Sequence, residues 1–280
     1  MSETVTPSPT TLGIWTHIEK TAGTSVRGAL EQAVGTSSLY LYSAAGNSFS
    51  RAQDGAPSTS SVLDKALMLG FSNPVTRKPL VGLYSRYHNA AVRRMLARGS
   101  AEVPSDASVI MGHFVTDQFD EQLSDRPSIR AVVIREPVAR MASHYDHWKR
   151  FEGHSVWRVQ VPYDPAMTFE NFATLPEMQN YQVQALGRLG LEDFDVVGVT
   201  ENVDQSVGQF LRLLAEARTI PPVPGAQEIQ IGHYNRTPQG TKTNLEALGG
   251  SALQAIRAYH AEDIELYAQA SVMSAGAAGQ

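Results

Sequence analysis

Residues 129–134 (IRAVVI), an essentially apolar run bounded by charges and followed by Arg135, constrain the fold more than any other stretch. A run of strand length with so little polar character has no face to turn to water, so it reads as a parallel strand covered on both sides. Residues 107–111 and 194–199 (FDVVGV) have the same character. Between such runs the spacing turns helical: residues 203–217 put Val207, Phe210, Leu211 and Leu214 on one side, and Pro137 suits the first turn of a helix after Arg135. Strands alternating with helices specify an α/β architecture, a central parallel sheet flanked by helices on both faces. At 280 residues, 42% apolar and 18% charged, the chain has the size and balance of one such domain.

Residues 12–30 read LGIWTHIEKTAGTSVRGAL. A short apolar run ends in Thr16, His17 and Ile18, a small-residue turn follows, and Val26, Ala29, Leu30 and Ala33 then take helical spacing. Strand, small-residue turn and helix is how a backbone aims N–H groups and a helix N-terminus at an anion. Lys20 adds a point charge, and the turn Thr21, Ala22, Gly23, Thr24, Ser25 adds N–H and hydroxyl donors, so the stretch reads as a phosphate or sulfate cradle. It departs from the nucleotide loop GxxxxGK[ST], whose glycines precede the lysine; here Lys20 comes first and Gly23 follows. His17 points away from Ile18 across the strand and reads as structural.

Residues 1–11 are polar and proline-broken and read as disordered. Residues 39–42 read as a short strand and 44–61, rich in Gly, Ser, Ala and Asn, as a long surface loop. Residues 62–69 and 80–97 have helical spacing, the latter with a stripe of Tyr84, Tyr87, Ala91 and Met95 and with Arg86, Arg93 and Arg94 elsewhere on the helix. From Lys65 to Arg98 there are seven basic residues and no acidic one, against 16 basic and 28 acidic in the remainder. Residues 44–106 therefore read as a variable insert carrying a basic wall, a lid or acceptor region. Residues 169–189 read as one or two helices broken near Pro176, 221–232 as loop, 253–273 as a closing helix and 274–280 as a frayed tail. No internal repeat or second domain is visible, so 12–273 is expected to be a single domain.

Open parallel sheets bind ligands beyond the carboxyl ends of their strands. Lys20, His113, Arg135 and Glu201 each follow a predicted strand, and if the strands are neighbours the four converge on one crevice. His113 is the leading general-base candidate there, because imidazole as a class titrates near neutrality. Glu19 is the runner-up, able to act as base, to orient His113 or to pair with Lys20. Arg140 lies four residues after Glu136, which leaves a helix-surface pair and a phosphate contact both open. His144 and His147, three apart on a helix without a third ligand in view, read as ordinary helix residues.

Two of these stretches resemble one family. HIEKTAGTS at 17–25 resembles the 5′-phosphosulfate loop of sulfotransferases, H-I-P-K-T-G/A-G-T-S, departing from it at Glu19, where the family has proline. VVIREPVARMASHY at 132–145 resembles their 3′-phosphate motif, an arginine at a strand end and a helix serine eight residues later: here Arg135 and Ser143, with Glu136 for the usual aspartate. IMGHFV at 110–115 resembles the Gly-His segment that carries the base in the carbohydrate group containing heparan sulfate 2-O-sulfotransferase. GVTENVDQSVGQFLRLL and AEDIELY resemble later elements of the family, and HYNRTP, with Asn235 and Arg236, an asparagine-containing turn near the nucleotide. Matching segments run in order over roughly 12–36 and 107–270.

The resemblance implies a P-loop-like three-layer fold and transfer of a sulfuryl group from 3′-phosphoadenosine-5′-phosphosulfate (PAPS) to a hydroxyl or amine of a carbohydrate or other small acceptor. Lys20 and the turn 21–25 would hold the 5′-phosphate and sulfate, Arg135 and Ser143 the 3′-phosphate, and His113 would take the acceptor proton, with no metal required. Two other readings compete. One is a P-loop kinase or NTPase, against which stand the lysine-before-glycine order and the Arg135/Ser143 spacing; the other is a non-catalytic module that keeps the cradle, against which stands His113.

Composition narrows the classes further. With no cysteine, disulfides, thiolate catalysis and cysteine-ligated metals are excluded. A formal net charge of −5 argues against a general nucleic-acid binder and leaves no broad basic groove for a heavily sulfated polymer, so a neutral or weakly anionic acceptor is expected. No apolar run reaches membrane-spanning length, and the first residues lack the basic start and apolar core of a signal peptide. Eukaryotic members of the resembled family are membrane-anchored lumenal enzymes; this chain is expected to be cytoplasmic.

Overall fold

The structure, a computed structural model, describes residues 11–43, 47–54, 101–151, 161–223 and 243–277. The expected helices at 62–69 and 80–97 with their basic wall, and the HYNRTP turn with Asn235 and Arg236, lie outside the described residues.

Among the described residues, six strands form one sheet: β1 (Leu12–Thr16), β2 (Leu39–Ser43), β3 (Ser48–Arg51), β4 (Val109–Gly112), β5 (Ser128–Ile134) and β6 (Val196–Val199). Their spatial order is β3-β2-β4-β1-β5-β6, parallel throughout except for β3 against β2. Strand β3 corrects the expectation of an uninterrupted loop over 44–61. It pairs Phe49 with Tyr42, ring centroids 5.2 Å apart, and Arg51 donates to Tyr40 and Asp106. These are cross-strand contacts that a Gly/Ser-rich composition does not advertise.

Among the described residues, seven helices pack on the sheet: α1 (Gly23–Val34), α2 (Pro137–Arg150), α3 (Phe169–Ala173), α4 (Tyr181–Leu186), α5 (Val203–Glu216), α6 (Gly250–Tyr259) and α7 (Ala261–Ala277). Alternate residues of β5 serve opposite cores. Ala131 and Val133 join Trp15, Val26 and Leu30 of α1 and the predicted α5 face of Val207, Phe210, Leu211 and Leu214. Val132 and Ile134 join Met141, Tyr145, Trp148, Phe172, Tyr181 and Leu266 from α2, α3, α4 and α7. That two-sided burial is why the strand is apolar, each large side chain sealed there contributing about 1.5–3 kcal/mol. Helix α2 begins on Glu136, whose carboxylate accepts from Ala139 N at 2.6 Å, with Pro137 in the first turn and Lys149 and Arg150 in the last, where the helix dipole favours cations.

The expected closing helix is two helices, broken at His260. The His260 ring accepts from Asn180 N at 3.3 Å and donates to Ala173 O at 2.8 Å, tying the chain to two other segments at the break. Helix α7 then runs to Ala277, so the domain does not end at 273 and the first part of the expected 274–280 tail is helical. Among the described residues, no helix is long and apolar enough to cross a membrane.

Chain order reverses at β1, with β4 and β2 on one side and β5 and β6 on the other. The helices that follow β1 and β5 pack on opposite faces of the sheet. The two connections therefore part, and a crevice opens between them at the carboxyl edge.

Candidate functional site

Register brings the site together. Thr16 of β1 pairs with Gly112 of β4 and Val132 of β5, so β1 and β4 end at one level while β5 runs on to Ile134, with Arg135 beyond it. Gly112 permits this packing, because a Cβ there would lie 2.7 Å from the carbonyl oxygen of Tyr42. The result is a cavity of about 250 Å³ walled by His17, Glu19 and Lys20, by Ala22 to Ser25 at the head of α1, by His113 and Arg135, and by Ser143 and His147 on α2. It has room for the charged groups of a ligand.

Of the four strand-end residues, Lys20, His113 and Arg135 converge as expected. Glu201 does not wall the cavity; it is exposed, and acts on Arg135 by raising its pKa against the lowering effect of burial. Thr21 also stays out of the cavity: it is buried, its hydroxyl donates to Ile18 O at 2.8 Å and its N–H to the same oxygen at 3.3 Å. The N–H of Ser25 likewise bonds within the loop, to Ala22 O at 2.9 Å. Gly23 and Thr24 open α1, where helix N–H groups have no intrahelical acceptor, and they carry the N-terminal pole of the helix toward the cavity.

Lys20 and Ala22 both adopt left-handed backbone, φ 72° and 68°, to turn the chain from β1 into α1. The turn brings Lys20 O within 2.9 Å of Arg135 Nη1, so the Arg135 guanidinium is held against the loop that carries Lys20. Burial first, then the Arg135 and Arg150 charges, lower the pKa of Lys20 to about 8, with Asp146 opposing. Two cations share this crevice, and the repulsion from Arg135 adds to burial in lowering the Lys20 pKa.

Sequence reasoning missed three contributors. His17, expected to be structural, walls the cavity with its ring packed against His113 at a tilt of 34°, centroids 4.3 Å apart. A Cβ on Gly23 would lie 1.6 Å from His17 Nε2, so the loop glycine is needed to seat this ring. Burial, then His113, hold the His17 pKa well below the usual imidazole value, so it is neutral at pH 7. His147, read as an ordinary helix residue, faces the cavity one turn after Ser143, and burial, then Lys20 and Arg150, lower its pKa to about 4. The i, i+4 spacing from Ser143 was the available signal.

Gln182 carried no signal at all. Its side chain accepts from Arg135 N at 2.9 Å and donates to Arg135 O at 2.8 Å, clamping the backbone of that residue. The carboxylate of Asp263 on α7 in turn accepts from Gln182 N and Val183 N. Arg140 neither lies on the helix surface nor walls the cavity. Glu136 is engaged in capping α2, and Arg140 is fully buried, its guanidinium 4.6 Å from the centroid of the Tyr181 ring.

His113 presents its Nδ1 to the carbonyl oxygen of His17 at 2.9 Å, with Oε1 of Glu19 at 3.6 Å from the same nitrogen. Among the described residues, no group of three His, Asp or Glu side chains is arranged to hold a metal ion. The arrangement offers two cations, a helix N-terminus, hydroxyls from Thr24, Ser25 and Ser143, and an imidazole beside a carboxylate. Chemically it can hold a polyanion and receive a proton. In comparisons with protein-family models and with curated proteins, the chain matches none.

Proposed function

We propose that the protein is a sulfotransferase of P-loop-like fold that moves a sulfuryl group from PAPS to a hydroxyl of a carbohydrate or other small acceptor. The observation that carries this reading is that the lysine-first loop and the Arg135/Ser143 pair, separate in sequence, wall one cavity and touch through Arg135 Nη1 and Lys20 O at 2.9 Å. A donor with charge at both its 5′ and 3′ ends needs two such centres, and ATP does not. The sheet order, with the ligand crevice at the reversal beside β1, also supports it.

Sulfuryl transfer asks a protein chiefly for position and charge. Lys20 and the head of α1 hold the 5′-phosphosulfate, and Lys20 offsets charge that grows on the bridging oxygen as the bond to sulfur breaks. Arg135 and Ser143 hold the 3′-phosphate, and His113 takes the acceptor proton.

Calorimetry with 3′,5′-phosphoadenosine tests the assignment. The protein should bind it, and Lys20→Ala and Arg135→Ala should each lose at least about 100-fold in affinity, the scale of a charged hydrogen-bonding pair. Tight retention by both variants would sink the reading. Magnesium-dependent ATP binding with no preference for a 3′-phosphate would replace it with a kinase or NTPase.

A further inference from the structure

Glu19 stands where the resembled loop has proline, and only 3% of it is exposed. Its distance of 3.6 Å from Nδ1 of His113 is too long for a hydrogen bond. Nδ1 bonds instead to the carbonyl oxygen of His17, and since a carbonyl can only accept, Nδ1 carries the hydrogen. Nε2 is then the nitrogen with a lone pair, and the His17 ring, packed against that of His113 at a tilt of 34°, limits how the imidazole can turn.

From this geometry we propose that Glu19 is a positioning residue that acts through His113: its carboxylate lies against the Nδ1 edge and stabilises the imidazolium formed when Nε2 takes the acceptor proton. The inference rests on the sulfuryl-transfer reading above. In the step it serves, an acceptor oxygen bonds to sulfur and the bond from sulfur to the 5′-phosphate oxygen breaks, its electron pair leaving with 3′,5′-phosphoadenosine. The acceptor proton passes to Nε2. Positive charge thus appears on a ring already beside a carboxylate, and the interaction strengthens as the reaction proceeds rather than on binding.

The other titratable or charged groups around the crevice are His17 and Lys20 from the same loop, Arg135 beyond β5, and His144, His147, Arg150 and Asp146 on α2, the last acting on Lys20. Lys20 and Arg135 are cationic, and burial holds the three other imidazoles neutral. Glu19 is the carboxylate placed against the ring itself, 3.6 Å from Nδ1. Where a carboxylate both selects the tautomer and stabilises the imidazolium, its amide variant loses about 10⁴-fold in kcat. Here the His17 carbonyl keeps the tautomer, so the loss expected for Glu19→Gln is about 10- to 10³-fold.

The test uses the full chain with PAPS, water serving as acceptor, and follows release of 3′,5′-phosphoadenosine. Glu19→Gln should bind 3′,5′-phosphoadenosine within about threefold of wild type, lose turnover by the stated factor with little change in KM for donor, and move the acid limb of its pH profile down by about one pH unit. Glu19→Asp should recover part of both effects, and it carries the test alone where Glu19→Gln does not fold. Nitrogen NMR of labelled histidine should find the hydrogen of neutral His113 on Nδ1 in wild type and variant alike. Wild-type turnover and an unmoved acid limb in the variants overturn the role of Glu19 and leave the sulfotransferase reading standing. Loss of nucleotide binding in Glu19→Gln overturns it in favour of a loop-building role, and an acid limb abolished rather than displaced overturns it by making Glu19 the base. A wild-type protein that binds no 3′,5′-phosphoadenosine, or consumes no donor, overturns the underlying reading instead.

Discussion

Two regions of this molecule bury charge, and they do opposite things with it. Beneath the sheet on the α2 side, Arg140, His144, His260 and Asp263 are each no more than 1% exposed. The chain itself answers them: Asp263 accepts from the N–H groups of Gln182 and Val183, His260 bonds to Ala173 and Asn180, and Arg140 lies on the face of Tyr181. In the crevice, Lys20, His113 and Arg135 are also largely enclosed, yet their polar ends wall a cavity. Burial lowers histidine pKa values in both places, His144 in the first and His17 in the second. Neither burial nor a shifted pKa separates a structural cluster from a site; where the polar atoms point does.

The sharpest way to break that comparison is a crossed pair of variants. Asp263→Ala removes the acceptor of two buried N–H groups and a carboxylate that feels Arg140, and should cost about 3 kcal/mol of stability in urea unfolding. Arg135→Ala should leave stability within about 1 kcal/mol of wild type, because a deleted cavity-wall cation also relieves its own desolvation, while anion affinity falls at least about 100-fold. If Arg135→Ala unfolds the protein and Asp263→Ala does not, the two regions have been assigned the wrong way round.

The sequence shows the outline of one region and almost nothing of the other. Strands β1, β5 and β6, the α5 face and the crevice at the strand ends were legible because apolar runs and strand-end polar residues are local patterns. Lys20 and Arg135 stood out for the same reason, whereas Ser143, inside α2, stood out only through the resemblance of its stretch to a known motif. The Arg140–Asp263 cluster joins residues more than 100 positions apart, and the clamp of Gln182 on Arg135 spans 47. No periodicity encodes such contacts. His17 was misjudged because strand alternation tells which side a residue faces but not whether that side is packed or open. The helix break at His260 was hidden because both halves keep helical spacing and only tertiary hydrogen bonds mark the junction.

The two regions should also answer pH differently. His144 and His260 have folded-state pKa values below their unfolded ones, so the unfolded chain binds more protons as pH drops through 6.5, and stability should fall on acidification below that value. Lys20 works at the other end. Its pKa of about 8 in the folded protein, against 10.5 unfolded, means that between these values the empty crevice has released a proton the unfolded chain retains. An incoming anion needs the charged lysine, so affinity should weaken above pH 8 by up to about tenfold per pH unit, and binding there should take up a proton. Calorimetry at pH 8.5 in two buffers of different ionisation enthalpy measures the uptake; identical heats would remove Lys20 from the binding charge.

Gln182 joins the two regions and tests whether they are coupled. Gln182→Ala leaves Arg135 its guanidinium but frees its backbone from the clamp, so nucleotide affinity should fall about 10-fold, the usual cost of losing a supporting hydrogen-bond partner. Because Asp263 binds the backbone of Gln182, the capping contact survives the substitution. An affinity unchanged within error would make the interior cluster a purely structural neighbour.

The smallest expected effect lies in the cradle loop itself. Ala22 holds φ 68° to start α1, a conformation that costs a residue with a Cβ roughly 1 kcal/mol and glycine almost nothing. Ala22→Gly removes that strain but loosens the unfolded chain by about 0.4–1 kcal/mol, so the net change should lie between zero and a gain of about 0.6 kcal/mol. Its N–H stays where it is, and anion affinity should hold within twofold. Lys20 carries the same kind of strain at φ 72°, but its side chain walls the cavity and glycine there would remove the charge. The loop thus has one strained position that can be relaxed without touching the site and one that cannot. Urea unfolding of Ala22→Gly beside wild type measures the difference. A loss of more than about 1 kcal/mol would mean that the Ala22 methyl packs well enough to outweigh its strain, and the crevice would then owe part of its shape to apolar contact as the interior cluster does.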